Sequence, residues 1–141
     1  MSSLTNSEKL MYDVMGAIAN DNVIADKISV IASDRVFRRA KDLVDVYALS
    51  HCVSLITADI YDIWKRESRA IGTFDAFRNR RDDLQHSYDK LRRIDAKPEF
   101  DKLYYHLVKF LQPFVENSSN PKTWNTNDLA WDDVVSEKNP F

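Results

Sequence analysis

The chain has 141 residues, the size of one ordinary domain, and its content of 44% apolar and 11% aromatic residues is enough to bury a substantial core. The formal net charge of -2 excludes a strongly basic protein that coats nucleic acid without selectivity. A single cysteine, a start without a signal-peptide pattern and the lack of an apolar run of about 20 residues predict a soluble cytoplasmic protein that has no membrane partner.

The first half of the chain shows helical spacing of apolar residues. Only two glycines occur and all four prolines lie in the last third, so the chain has too few turn-forming residues for a β-rich fold. Apolar residues recur instead every three or four positions, the pattern of helices that bury one side. The first four predicted helices are carried in chain order by Leu10, Val14, Ala17 and Ile18; by Ile24, Ile28 and Ile31; by Phe37, Ala40, Val44 and Tyr47; and by Ile60, Ile63 and Trp64. Ser7 and Thr57 are predicted to be N-caps of the first and fourth.

The second half continues in the same way. A short segment with Phe74 and Phe77 precedes a predicted helix over about residues 82–94. Pro98 suits the first position of the last long helix, because its missing N–H needs no partner there. Pro113 is predicted to kink or close that helix.

The end of the chain has a different composition. Residues 116–128 are polar and rich in turn formers. Trp124 and Trp131 predict that the tail packs back onto the helices, with a partner-binding tail as the alternative. The sequence therefore predicts an all-α fold, a compact bundle of about six to seven helices over residues 1–115 with a partly irregular tail over residues 116–141.

Five charged residues crowd the third predicted helix: Arg35, Arg38, Lys41, Asp42 and Asp45. The two i,i+4 pairs they form, Arg38 with Asp42 and Lys41 with Asp45, are each worth only about 0.2–0.5 kcal/mol in water. Two interpretations remain open. The charges form a solvated face, or they form a site in which Arg and Lys hold phosphate while the carboxylates orient a cationic group.

Other chemistry finds little support in the sequence. His51, His86 and His106 lack the spacing of a metal site and are interpreted as structural or surface residues. Cys52 lies in an apolar run, where a thiol is usually a small core residue. Thr73 is predicted to cap a helix rather than to begin a metal-binding nucleotide-transfer motif.

The charged helix also carries a family resemblance. The stretch IADKISVIASDRVFRRAKDLVDVYALS, which begins at Ile24, resembles the C-terminal helical part of the AbiEii-type nucleotidyltransferases, bacterial toxins of abortive-infection and type IV toxin–antitoxin systems. In that family a lysine on one helix precedes an arginine-rich turn and a Lys/Arg-Asp-x-x-Asp pattern on the next helix. The matching positions here are Lys27, residues 35–39, Lys41, Asp42 and Asp45. GTFDAFRNRRDDLQHSYDKLRRIDAKPEF and FLQPF fit the trailing helices, so the resemblance covers about residues 22–115.

The resemblance implies roles for five residues. Lys27, Arg38 and Lys41 would bind the polyphosphate of a nucleoside triphosphate. Asp42 would be the acidic residue near the catalytic centre, and Asp45 would support it. The implied cofactors are Mg²⁺ and the nucleoside triphosphate, and the implied acceptor is RNA, with transfer RNA expected.

The chain departs from the family in one respect, because it has no Gly-Ser turn followed by Asp-x-Asp, which carries the metal in the family's N-terminal half. We therefore expect a partial enzyme that does not transfer nucleotides by itself. A basic middle region would be its RNA surface, formed by Arg66, Arg69, Arg78, Arg80, Arg81, Arg92 and Arg93. The alternative is a non-enzymatic helical module that binds an antitoxin or another partner protein, or that forms a homodimer.

Overall fold

The computed structural model describes residues 20–33, 40–91 and 97–134. Within these ranges the chain forms six helices and one antiparallel hairpin. The helices are α1 (Asp21–Ala32), α2 (Lys41–Cys52), α3 (Thr57–Arg66), α4 (Asp75–Asn79), α5 (Arg81–Asp89) and α6 (Phe100–Val115), and the strands are β1 (Lys122–Asn125) and β2 (Ala130–Asp133). The helix predicted around residues 10–18, its cap at Ser7 and the residue Phe37 lie outside the described ranges.

The prediction of a mainly helical chain is confirmed. The all-α assignment is wrong in one respect, because two strands pair in the segment that was expected to be irregular. No helix in the described ranges combines the length and the apolarity that are needed to cross a bilayer.

Helix α2 lies at the centre of the fold. It packs against α1 on one side and α6 on another. Every residue from Asp42 to Ser50 is buried, including both aspartates of the charged pattern. A helix that is enclosed on all sides normally carries apolar residues all round. The two buried carboxylates are therefore the unusual feature of α2.

Two hydrogen bonds between side chains and the backbone organise α1 and its contact with α3. Asn20 caps α1 by accepting the N–H of Val23 at 3.0 Å. The indole Nε1 of Trp64 on α3 donates to the carbonyl of Ala25 on α1 at 2.9 Å. The first bond satisfies an N–H group at the start of α1, and the second attaches α3 to α1.

Two predicted caps are wrong for local reasons. Thr57 is the first residue of α3 and Ile56 is its N-cap, because the Thr57 hydroxyl accepts the N–H of Lys122 at 3.0 Å instead of capping its own helix. The N-cap of α4 is Phe74 rather than Thr73. Phe74 has φ 64°, a costly conformation for a bulky residue, and its N–H donates to the carbonyl of Ala32 at the end of α1.

Two helix boundaries also differ from expectation. Helix α5 ends at Asp89, earlier than predicted, and the Lys97 ammonium donates to the nearby carbonyls of Tyr88 and Leu91 at 3.0 and 3.3 Å. This ammonium group therefore satisfies carbonyls that a longer helix would have paired with backbone N–H groups. Helix α6 begins at Phe100, two residues after Pro98.

The hairpin is part of the core. Trp124 of β1 lies opposite Trp131 of β2, and Trp124 is fully buried. Its indole Nε1 donates to the carbonyl of Ser50 at 2.6 Å, in the last turn of α2, where a carbonyl has no intrahelical donor. β1 continues to the α2–α3 connection through the bond from Trp124 N–H to Leu55 at 2.8 Å. The tail therefore closes over the C-terminal end of the central helix.

Trp131 supplies a hydrogen-bond donor that α6 lacks. Pro113 lies inside that helix and has no N–H to donate to the carbonyl of Lys109, four residues earlier. The indole Nε1 of Trp131 donates to this carbonyl at 3.2 Å and to the carbonyl of Phe110 at 3.0 Å. The helix continues through Pro113 to Val115 because the hairpin supplies the missing donor.

Candidate functional site

The candidate site begins with the two buried carboxylates of α2. Asp42 is 5% exposed and Asp45 is 8% exposed. Burying an ionised carboxylate without compensation costs several kcal/mol, so such groups are paired, hydrogen-bonded or functional. Their spacing of three residues places both on the same side of α2, toward its N-terminal end.

Lys27 of α1 meets both carboxylates. Its Nζ lies 3.0 Å from Asp45 Oδ2 and 3.9 Å from Asp42 Oδ1. The Lys27 side chain is 25% exposed, so its ammonium is partly accessible from solvent. This contact joins residues that are 18 positions apart in the sequence.

Lys41 completes the cluster from the first position of α2. Its Nζ lies 3.0 Å from Asp45 Oδ1 and 3.1 Å from Asp45 Oδ2. The Lys41 side chain is 62% exposed, so this i,i+4 pair adds little stability by itself. We refer to Lys27, Lys41, Asp42 and Asp45 as the lysine–aspartate cluster.

The structure thus brings together four of the five residues to which the family resemblance assigns roles. The fifth, Arg38, lies outside the described residues. The interpretation of these charges as a solvated face is wrong for Asp42 and Asp45, because both carboxylates are buried. The contacts establish a fixed arrangement of two ammonium groups and two carboxylates, and they leave the chemical roles of these residues as predictions.

Most arginines of the basic middle region are already engaged where they are described. Arg69 binds Asp26 at 2.9 Å and Glu67 at 2.8 Å, and Arg80 binds Asp83 at 2.7 Å. Arg81 pairs with Asp101 and lies over the rings of Phe100 and Tyr104. Arg66 and Arg78 are exposed, whereas Arg92 and Arg93 lie outside the described ranges.

Sequence reasoning missed a pair of stacked histidines. The rings of His51 on α2 and His106 on α6 are 4.6 Å apart and nearly parallel, at 16°. His106 Nε2 lies 2.5 Å from the Ser50 hydroxyl, and His51 Nδ1 lies 2.7 Å from the carbonyl of Tyr47. The two residues are 55 positions apart on different helices, so no local spacing could have indicated the contact. Their prediction as structural residues fits this position between two packed helices.

The environment of His106 lowers its pKa from the ordinary 6.5 to about 3. The main cause is burial, which disfavours the charged imidazolium. The positive charges of His51, Lys109 and Lys102 act in the same direction. His106 is therefore neutral in the folded protein near pH 7.

Acid should destabilise the fold through His106. Because its folded-state pKa lies below 6.5, the unfolded chain binds the proton more readily. The contribution of neutral His106 is complete above about pH 6.5 and is lost as the pH falls toward 3. We expect the free energy of unfolding, measured by urea titration, to fall by at most about 1.4 kcal/mol per pH unit from this residue. His106→Gln should remove this slope and His86→Gln, at an exposed position, should keep it. Equal slopes in both variants would show that His106 is not the source.

Comparison with known proteins gives no relative from which a role could be transferred. No family model matches the chain, and no curated protein or solved structure matches it significantly. The function therefore has to be inferred from the lysine–aspartate cluster and the fold that positions it.

Proposed function

We propose that the described helices form the helical module of a nucleotidyltransferase similar to the AbiEii-type toxins, in which the lysine–aspartate cluster binds the polyphosphate of a nucleoside triphosphate. The observation that carries the proposal is the convergence of two buried carboxylates on the partly exposed ammonium of Lys27. A structural ion pair alone would not require burial of two acidic residues on the central helix, because apolar residues of similar volume are often as stabilising there.

The proposed roles follow from the contacts. Asp45 holds Lys27 at 3.0 Å, so the ammonium is already positioned before a ligand arrives. Phosphate oxygens accept charge-assisted hydrogen bonds from such a group. Lys41 is more exposed and can turn from Asp45 toward a phosphate. Asp42 and Asp45 face the ammonium group of Lys27, which favours positioning roles for both; the catalytic role that the resemblance implies for them stays a prediction.

Magnesium does not fit the cluster. Both oxygens of Asp45 face ammonium groups. In the part of the chain that the structure describes, no group of three or more His, Cys, Asp or Glu side chains is arranged to hold a metal ion. In the proposed function the ion and its acidic ligands therefore belong to a part of the enzyme outside the described residues.

The proposed acceptor is RNA, and transfer RNA is expected from the resemblance. Arg66 and Arg78 support this choice weakly, since both are exposed. Arg69, Arg80 and Arg81 would first have to release their carboxylate partners.

One observation favours a second candidate, a helical module that binds a partner protein without catalysis. The cluster contains two ammonium groups and two carboxylates, so these four residues provide no excess positive charge for a phosphate. A charge-balanced network of this kind is also compatible with a purely structural contact between α1 and α2, in which each carboxylate is compensated by an ammonium group. Nucleotide binding separates the two candidates.

Calorimetric titration tests the proposal with ATP, GTP, CTP and UTP, each in the presence of Mg²⁺. We expect at least one nucleotide to bind, and Lys27→Met to weaken that binding at least about tenfold, since a charge-assisted hydrogen bond is worth about 1.5–3 kcal/mol. Lys41→Met should also weaken it, and this exposed position does not threaten the fold. Lys65→Met, at an exposed position on α3, is the matched control and should bind normally.

Two results of this titration would contradict the proposal. If folded wild-type protein gives no heat with any of the four nucleotides, the polyphosphate site does not exist as proposed. If binding occurs and both Lys27→Met and Lys41→Met retain it, the nucleotide binds elsewhere. Circular dichroism of every variant separates loss of a site from loss of the fold.

A further inference from the structure

The hairpin has one edge that is paired and one that is open. On one side β1 pairs with β2, and on its other side Thr123 forms a bridge with Ile56. β2 pairs only with β1 among the described residues. In the part of the chain that the structure describes, the outer side of β2 is therefore the open edge of this small sheet.

The register identifies which main-chain groups point outward. The N–H groups of Trp124 and Lys122 donate away from β2, to the Leu55 carbonyl at 2.8 Å and to the Thr57 hydroxyl at 3.0 Å. Their partners across the hairpin are Trp131 and Asp133. In an antiparallel pair, residues opposite each other either exchange both hydrogen bonds or direct both sets of groups outward. The N–H and C=O groups of Trp131 and Asp133 therefore point away from β1.

The open edge is acidic. Residues 118–134 contain one basic residue, Lys122, and three acidic residues, so their formal charge is 1 − 3 = −2. The acidic residues are Asp128, Asp132 and Asp133, and all three are exposed. Asp133 pairs with Lys122 at 2.7 Å, so Asp128 and Asp132 carry the net negative charge. Val134, which follows the strand, is 40% exposed and adds apolar surface.

These charges discriminate between possible occupants of the edge. A second copy of the chain, paired antiparallel through β2, would bring Asp132 and Asp133 of both copies close together, and like charges across a strand pair are destabilising. RNA phosphates would be repelled in the same way. A protein segment with Lys or Arg side chains is favoured, because its charges complement those of the edge.

We propose that β2 is a docking edge for an extended basic segment of a partner protein, which adds a strand by pairing with the main chain of Trp131 and Asp133. Alternate side chains of the segment are basic and lie on the face of Asp132 and Val134, while the others are apolar and lie on the opposite face, with Trp131 and Asp133. Main-chain hydrogen bonds provide the affinity of such strand addition and side chains provide its selectivity. This docking is independent of nucleotide binding at the lysine–aspartate cluster.

The probe is a blocked peptide of sequence Thr-Lys-Val-Arg-Val-Lys-Thr, titrated into the full chain labelled for amide NMR. We expect the amide signals of Trp131 and Asp133 to shift and their hydrogen exchange to slow. Two modified peptides test the main-chain pairing: one is N-methylated at both valines, and the other at all three basic residues. Alternate residues of a strand direct their N–H groups to the same edge, so only one of these two sets pairs with β2. The peptide methylated at that set should bind at least about tenfold more weakly, because it loses main-chain hydrogen bonds worth about 1 kcal/mol each. A peptide with Glu in place of Lys and Arg should also bind at least about tenfold more weakly.

Matched variants of the protein complete the test. Asp132→Lys should weaken binding about fivefold by reversing an exposed charge at the edge. Asp89→Lys makes the same change of charge at the end of α5, which packs against α4 and α6, and should bind the peptide normally. The proposal is overturned if the two amides do not respond, if both methylated peptides bind like the original, or if the acidic peptide binds equally well. Concentration-dependent shifts of these amides without peptide would show self-pairing and would also overturn it.

Discussion

Trp124→Ala should lower the free energy of unfolding by about 3–5 kcal/mol, the usual cost of truncating a fully buried aromatic side chain. Trp124 is 0% exposed and packs edge-on against Phe110 and Trp131 at 4.9 and 5.1 Å between ring centroids. The substitution also removes the indole donor from the carbonyl of Ser50. A domain of this size has a total stability of about 5–15 kcal/mol, so the variant loses a large part of it.

Urea unfolding followed by far-ultraviolet circular dichroism measures this loss without depending on tryptophan fluorescence. Trp124→Phe keeps most of the ring and loses the hydrogen bond, so it should cost less, about 1–3 kcal/mol. Tyr105→Ala is the control, because that side chain is 70% exposed and should change stability by about 0.5 kcal/mol or less. A cost below about 1 kcal/mol for Trp124→Ala would mean that the hairpin is not an integral part of the core.

Lys27→Met should lower the free energy of unfolding by about 1–3 kcal/mol. Breaking a fully buried ion pair costs about 3–5 kcal/mol, and the smaller value is expected here because Lys27 is 25% exposed and Asp45 keeps Lys41. Methionine preserves the apolar stem, so the change reports on the ammonium group rather than on lost packing.

A double-mutant cycle isolates the contact between the two helices. Asp45→Asn should be destabilising in wild type and much less so in Lys27→Met, which gives a coupling energy of about 1–2 kcal/mol. Lys65→Met should not couple to Asp45→Asn, because Lys65 lies on α3 outside the cluster. A coupling energy near zero for Lys27 and Asp45 would contradict the 3.0 Å contact on which the proposed function depends.

The helices could be predicted because their signals are local. Ile24, Ile28 and Ile31 follow the helical period, and all three are 1% exposed or less. The cluster could be predicted only in part. The sequence shows that Asp42 and Asp45 share a face of α2 with Lys41, but their burial depends on α1 and on other elements packed around α2.

The hairpin could not be predicted because its stability is tertiary. Its strands have four residues each, and its turn contains no glycine, although Leu129 has φ 50°. The turn is built by Asn125, whose side chain accepts the N–H groups of Asn127 and Asp128. The sequence lacks a two-residue turn that contains glycine, such as Asn-Gly or Asp-Gly, which is the usual sign of a hairpin. The polar stretch therefore has the composition of a loop. Its strands persist because Trp124 and Trp131 bind carbonyls on two helices.

The contact between Trp131 and the carbonyl of Lys109 links two distant positions in evolution. As long as proline occupies position 113, an indole at position 131 supplies the hydrogen bond that the Lys109 carbonyl would otherwise lack. If position 113 carries a residue with an amide hydrogen, the Lys109 carbonyl no longer needs the indole, and position 131 is constrained only by its bond to the Phe110 carbonyl and by aromatic packing. We therefore expect covariation: homologous chains that retain the proline should retain the tryptophan, and those that lose one should tolerate the loss of the other.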